Sequence, residues 1–270
     1  MFNMSILPTY PPPISPCNSN SSSKRLNVLT RLWRIVKTLW LMKWMFRSLF
    51  SSIFFNFHYL PFRQAIKLPI LLYKPRFIKI KGKIQITGPV TFGMIQLGKF
   101  SANINPNNGI SFENLGGTIT FEGRCLIGNS AYLVVGPKGN LTIGNGFRNT
   151  TGIRIICYKS IVFGQYVSIG WNSILMDTNF HPLIDKRDNT CKKASGPIEI
   201  GSYNWLGTEC LVMHSTKTPP RCIFGARCTI TKRSEMESYC VTVPSSKCIV
   251  ATNNVYRDIG GDLDFDKSIQ

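Results

Sequence analysis

Three features of the sequence predict an all-β chain wound as a left-handed parallel β-helix, preceded by an N-terminal amphipathic helical segment. Apolar residues recur at a step of six: Phe163, Ile169 and Leu175, then Ile200, Leu206 and Val212, then Phe224 and Ile230, with Thr218 in the slot between. Small residues stand four places after each anchor, at Val167, Ser173, Cys210, Thr216, Cys222, Cys228 and Ser234, with Asn204 the one amide. Glycine directly follows five anchors, as Gly164, Gly170, Gly201, Gly207 and Gly225. A step of six matches neither the helical period of about 3.6 nor the alternation of a long strand. It fits a short strand and a tight corner, repeated so that three units close a triangular coil and stacked coils bury one continuous core. Glycine or asparagine is expected at the corners, where positive φ costs these residues least. Left-handed coils of this kind depart from the usual right-handed crossover.

The elements follow in chain order. Residues 1–23 carry Pro11-Pro12-Pro13 and Ser21-Ser22-Ser23 with no apolar period, which predicts a disordered tail and no secretory signal. From Lys24 the spacing turns helical: Leu29, Leu32, Trp33, Val36, Leu39 and Trp40 share one face, and Arg31, Arg34 and Lys37 fall on another. The segment 24–60 stays apolar beyond this, but Lys43 and Arg47 interrupt the uncharged run of about 18 residues that a bilayer span needs. Two readings fit it: a helix in the membrane interface, and a helix packed on the solenoid or a neighbouring subunit. Residues 61–83, with Pro61, Pro69 and Pro75 ahead of the alternating Phe77-Ile78-Lys79-Ile80-Lys81, are expected to cap the prism and start its first strands. The β-helix proper is expected over 84–250. Its early part is looser, since Phe121, Ile127 and Leu133 keep the step of six but the phase slips before Ile143, Asn149 and Ile155. The interval from Leu175 to Ile200 is no multiple of six, so a polar loop is extruded from about Asp177 to Gly196. The tail 251–270, with Asp262, Asp264 and Asp266, is expected to fray.

Charge is distributed unevenly. The net charge is +19, and no Asp or Glu precedes Glu113. Such asymmetry points to an acidic partner surface, and the apolar face of the basic segment suits lipid better than the grooves of a nucleic acid. Nine cysteines without a CxxC pair, several on the small interior position, read as reduced fillers in a reducing compartment. Together these lead to the expectation of a cytoplasmic chain, peripheral at the inner membrane face where the first of the two readings of the segment 24–60 applies.

The extruded loop holds the chemistry. His181 is one of three histidines, and an imidazole whose tautomer is fixed by a partner can take a proton from a hydroxyl near neutral pH. Asp177 or a backbone carbonyl is the candidate partner. By spacing alone a solvated loop histidine fits equally well.

The run from Phe163 to His181, followed by Pro197-Ile198-Glu199-Ile200-Gly201 and Trp205-Leu206-Gly207, resembles the hexapeptide-repeat acyltransferases. Within them it is most similar to the galactoside and maltose O-acetyltransferases and their polysaccharide-modifying relatives, over Ile143 to Val250. The loop Asp177-Thr178-Asn179-Phe180-His181-Pro182 and the late run Gly225 to Lys232 carry the likeness best. The resemblance implies His181 as general base, deprotonating a sugar or glycan hydroxyl that attacks acetyl-CoA directly. It implies that Asn172 contacts the acceptor, that Trp205 lines the reaction site, and that Thr231, Lys232 and Arg233 meet the CoA phosphates. It also implies a homotrimer with its acetyl-CoA grooves between prisms, and no metal. Asn172 also reads as a plain corner residue, Trp205 as an aromatic packed on a neighbouring coil, and the basic run as a surface cluster. The sequence departs from the family pattern at Asn179, at Arg227, at Pro219-Pro220 and at Ala251-Thr252-Asn253-Asn254-Val255. A catalytically silent membrane-bound scaffold is the competing reading. A zinc enzyme needs three histidine ligands, and beyond the N-terminal segment the chain offers His181 and His214.

Overall fold

The computed structural model describes residues 48–101, 103–231 and 236–244, and the backbone of 255–257. The chain divides into Met1–Leu41, which lies outside these residues together with most of the segment 24–60, and Met42–Gln270. The second unit is a left-handed parallel β-helix. Its chain visits three parallel sheets in turn, which form the faces of a triangular prism. The first face runs from Ile70–Leu72 through Cys125–Gly128, Ser168–Ile169 and Trp205–Leu206 to Val241–Thr242. The second runs from Pro75–Ile80 to Thr229–Ile230, and the third from Lys83–Ile86 to Lys217–Thr218. Coiling therefore begins at Ile70, inside the segment expected to cap the prism.

All nine anchors of the six-residue register are buried, and so is every described small residue four places on, Asn204 included. Asn204 is satisfied inside: its Nδ2 donates to Thr218 Oγ1 at 2.7 Å and to the Pro219 carbonyl at 2.9 Å, and its Oδ1 accepts from the Cys222 N–H at 2.7 Å. The seven described cysteines are all free, and burial pushes the Cys222 thiol up to about 11. Coil length explains the loose early pattern. On the first face the pairs Cys125 with Phe147 and Arg148 with Ser168 span more than three sixes, and by different amounts. The later pairs Trp205 with Ile223 and Ile223 with Val241 span three sixes without remainder.

The expected corner role of glycine holds in the earlier coils, where Gly146 and Gly152 take positive φ three places after Ile143 and Asn149, and is corrected in the later ones. There the left-handed residue three places after an anchor is Tyr166, Asn172, Tyr203, Glu209, Ser215, Arg221 or Arg227. Only Asn172 of these is of the expected type. The glycines that directly follow the anchors have ordinary φ and are required by the coil stacked on them. A methyl group built on Gly201 would lie 2.5 Å from the Pro219 carbonyl carbon, and one on Gly207 would lie 2.7 Å from the Ala226 nitrogen.

An N-terminal helix closes the prism. Residues 48–59 are helical and lead through Pro61 into the short helix Phe62–Ala65. Ser48 Oγ accepts from the Lys74 N–H, Ser52 Oγ from Leu72 and Asn56 Oδ1 from Ile70, at 3.3, 2.9 and 3.1 Å. Asn56 Nδ2 also donates to the Ile70 carbonyl at 2.7 Å. One helical turn plus a fraction rises about 6 Å and two steps of strand about 6.7 Å, so the periods match and the helix lies antiparallel along the first strand. Side chains thus occupy the hydrogen-bonding edge that an end strand would otherwise leave open. Phe55 anchors the contact, 5.7 Å from Phe77 and 5.0 Å from Phe112 between ring centres. For residues 48–60 the solenoid-packed arrangement holds.

Thermal unfolding distinguishes the two kinds of corner position. Gly207→Ala is expected to lower stability by about 1–3 kcal/mol through overpacking. Arg227→Gly, which relieves a left-handed φ but loses an ion pair with Glu209, should change it by under about 1 kcal/mol. The reverse order would show that the corner, and not the stacking contact, demands glycine.

Candidate active site

Among the described residues the single long interruption of the late coils is a hairpin. The interval from Ser168 to its partner Trp205 is far longer than the steps from Trp205 to Ile223 and on to Val241, and the surplus lies between the second and third faces. The ladder starts where Gly196 N–H donates to the Asp177 carbonyl at 3.0 Å and Asn179 N–H to Ala194 at 2.7 Å. It continues through the antiparallel pair Leu183–Asp185 and Cys191–Lys192. Val255–Arg257, from the segment expected to fray, adds an antiparallel strand along Leu183–Asp185. Asp185 braces the tip, accepting from Arg187 Nε at 3.0 Å and pairing with Lys192 Nζ at 3.1 Å. The Arg187 guanidinium holds the Asp185 carboxyl well below the usual carboxylate range. Its contribution is therefore full above the ordinary carboxylate pKa and is lost only as pH falls through the depressed value.

Asp177 sits at the root of the hairpin and is fully buried. Oδ1 accepts from the Tyr158 N–H, and Oδ2 from Lys159 and Ser160, each at 2.7 Å. Burial pushes the Asp177 pKa up, opposed by these three N–H groups and the Cys157 thiol. Both oxygens are thus engaged by the turn at 158–160 on the preceding coil.

Beyond Asp177 the chain turns sharply. Thr178 Oγ1 accepts from the Phe180 N–H at 3.0 Å, Phe180 adopts φ 61°, and its ring meets Tyr158 edge-on at 5.0 Å. His181 follows, half-buried. Asn179 turns to the next coil: its Nδ2 donates to His214 Nε2 at 3.0 Å, and His214 Nδ1 lies 3.2 Å from Ser215 Oγ. His214, in the turn at 214–215, thereby links the hairpin to the coil after it.

A separate groove of about 620 Å³ runs along the first face and its corner with the second. Its walls include Arg148, Ser168, Trp205 and Trp171, with Thr150 and Thr208 near the corner. Trp205 is 54% exposed and stands over the open face, not packed onto a neighbouring coil. Arg148 and Trp171 are not legible as site residues in the sequence, because their alignment with Trp205 exists only once the coil register is known.

Asn172 takes the left-handed corner beside this groove, at φ 58°, and its Oδ1 accepts from Asn105 Nδ2 at 2.9 Å. Asn105 belongs to an insertion that is held against the coil corners, where Ser101 Oγ donates to the Thr150 carbonyl at 3.1 Å. Thr231 follows the last strand of the second face and is not among the groove's lining residues, and Lys232 and Arg233 lie outside the described residues. Neither His181 nor any other hairpin residue lines the groove. Among the described residues no group of three His, Cys, Asp or Glu side chains is arranged to hold a metal ion.

Comparison with known proteins adds one likeness. Among solved structures the chain is similar to the crystal structure of the polySia-specific acetyltransferase NeuO, with 13% identity, a TM-score of 0.36, and coverage of 68% of this chain and 88% of that one. No family model and no curated protein matches the chain. Arg227 sits in the left-handed region at φ 64° and donates through Nε to Glu209 Oε2 at 2.7 Å. The corner thus accepts arginine without distortion of the coil.

Asp177→Asn tests the brace at the hairpin root. An amide NH₂ would confront buried N–H donors, so a loss of about 2–3 kcal/mol is expected by denaturant unfolding. Unchanged stability would mean that the three N–H groups find other acceptors.

Proposed function

We propose that the protein is an acetyl-CoA-dependent O-acetyltransferase that acylates a sugar hydroxyl, with His181 as general base. The observation that carries this reading is the one hairpin that breaks the regular late coils and presents His181 from a buried, hydrogen-bonded root. A rigid scaffold with a single projecting element is a common way to place a reactive group. The resemblance of the sequence from Phe163 to His181 to the hexapeptide-repeat acyltransferases supports the same conclusion.

In the proposed reaction the imidazole of His181 takes the hydroxyl proton as the oxygen attacks the thioester carbonyl. The C–S bond then breaks, the CoA thiolate leaves, and the imidazolium returns the proton to sulfur, so that the ester and free CoA are formed without an acyl-enzyme. The groove beside Trp171 and Trp205 offers apolar surface to the donor's pantetheine arm, and Arg148 a fork suited to an anionic group. Asn172, at the groove's corner, is the proposed acceptor contact.

The groove and the hairpin occupy different edges of the prism. This supports a homotrimer in which the hairpin of one chain reaches the groove of its neighbour, so that each site draws on two chains. Thr231, Lys232 and Arg233 are the proposed contacts to the CoA phosphates.

Incubation with acetyl-CoA and a panel of sugars should release free CoA. His181→Ala is expected to slow this by roughly a hundred- to ten-thousand-fold with the fold intact; unchanged turnover would remove His181 as the base. The shared site has its own check. Subunits carrying His181→Ala and subunits carrying Trp205→Ala, co-expressed and co-assembled, should recover part of the activity that each lacks alone. Absence of any recovery would place base and groove in one chain.

A further inference from the structure

The helix that closes the prism is buried on one side only. Ser52, Phe55 and Asn56 face the first strand and the core. On the opposite side Phe50, Ile53, Phe54 and Phe57 are exposed, and Phe62 and Ile66 continue the stripe beyond Pro61. Phe50 is 71% and Phe62 67% exposed. Six large apolar side chains on one end of a molecule form a contiguous surface of the kind that marks a binding face.

The orientation of this surface follows from the hydrogen bonds that seat the helix. Ser48, Ser52 and Asn56 bind successive alternate residues of the first strand, so the helix axis runs along a rung and lies flat across the prism end. Its outer side is therefore parallel to the end of the solenoid.

Charge decides between occupants. Arg63 and Lys67 are exposed beside Phe62 and Ile66. No acidic residue occurs anywhere in the chain before Glu113, while Lys24, Arg25, Arg31, Arg34, Lys37 and Arg47 precede the helix. Two copies meeting cap to cap would bring the like charges of Arg63 and Lys67 together. A polynucleotide would leave the phenylalanines in water. An anionic lipid surface takes both, with the aromatic rings entering the headgroup boundary and the basic residues meeting phosphate. No described helix is long and apolar enough to cross a membrane. We propose that the outer face of the end cap is a docking surface for anionic lipid bilayers, on which the prism stands with its axis normal to the membrane. The proposal does not depend on the reaction assigned to His181.

The test is flotation of the full chain with vesicles of phosphatidylcholine, with and without phosphatidylglycerol. The unaltered protein is expected to float with the anionic vesicles and to be released as salt is raised. The triple variant Phe50→Gln, Phe54→Gln, Phe57→Gln should lower the bound fraction at least tenfold, and Arg63→Gln with Lys67→Gln several-fold. Phe62→Gln alone, on a fully open position, serves if the triple variant unfolds, and should lower it at least twofold. Three results would overturn the proposal. The unaltered protein fails to float; the apolar variants float equally well, which would assign binding to residues 1–47; or the protein remains unbound while the same variants split a larger assembly in solution, which would assign the face to a second copy. His181→Ala should float unchanged, so failure here is separable from failure of the proposed reaction.

Discussion

Close stacking of one coil on the next is the contact on which everything else in this molecule rests. Where glycine follows an inward anchor, the rung sits so close to the next that the backbone of the neighbouring coil occupies the space a side chain would need. Gly201 against Pro219 and Gly207 against Ala226 show how little room remains. Given that contact, the interior becomes a set of columns in which each anchor lies over another of its kind. The corner three places on carries a modest conformational cost, and its neighbours offset part of it. Tyr166 stacks on Tyr203 at 5.3 Å, Arg221 lies 4.7 Å over Tyr203, and Arg227 pairs with Glu209.

The hairpin exploits the same regularity. A segment inserted at one corner leaves the rungs above and below in register, since Ile174, Leu175 and Met176 still pair with Leu211, Val212 and Met213. The insertion is nevertheless tied to the coils on both sides. Asp177 holds the turn of the coil before it, and Asn179 reaches His214 on the coil after it. His181 is thereby presented from two fixed coils at once, although it belongs to a segment that contributes nothing to the repeat.

Much of this is legible in the sequence, and the remainder is hidden for identifiable reasons. Where a coil is three sixes long, the anchors and the small residues four places on can be read directly, and the break after Leu175 announces the insertion. The earlier, longer coils carry their extra residues at the corners, so a strict period dissolves although the rungs are the same. The glycines are visible but their purpose is not, because a steric contact between residues one full coil apart looks identical in sequence to a demand for positive φ. Asp177 stands out for its proximity to His181, yet its partners are the peptide groups of Tyr158, Lys159 and Ser160 on the coil before. The groove is the least visible part, since Arg148, Ser168, Trp205 and Ile223 become neighbours only when four rungs are laid in register.

The seating of the first strand against Ser48, Ser52 and Asn56 bears on how the solenoid is made. A β-helix has no preferred starting rung, and an exposed first strand would template pairing with any other chain. Here the helix that satisfies that strand is synthesised before it, so the opening rung emerges from the ribosome to meet a ready partner. The same three side chains that finish this end of the prism also deny it an open strand edge to which another chain could add.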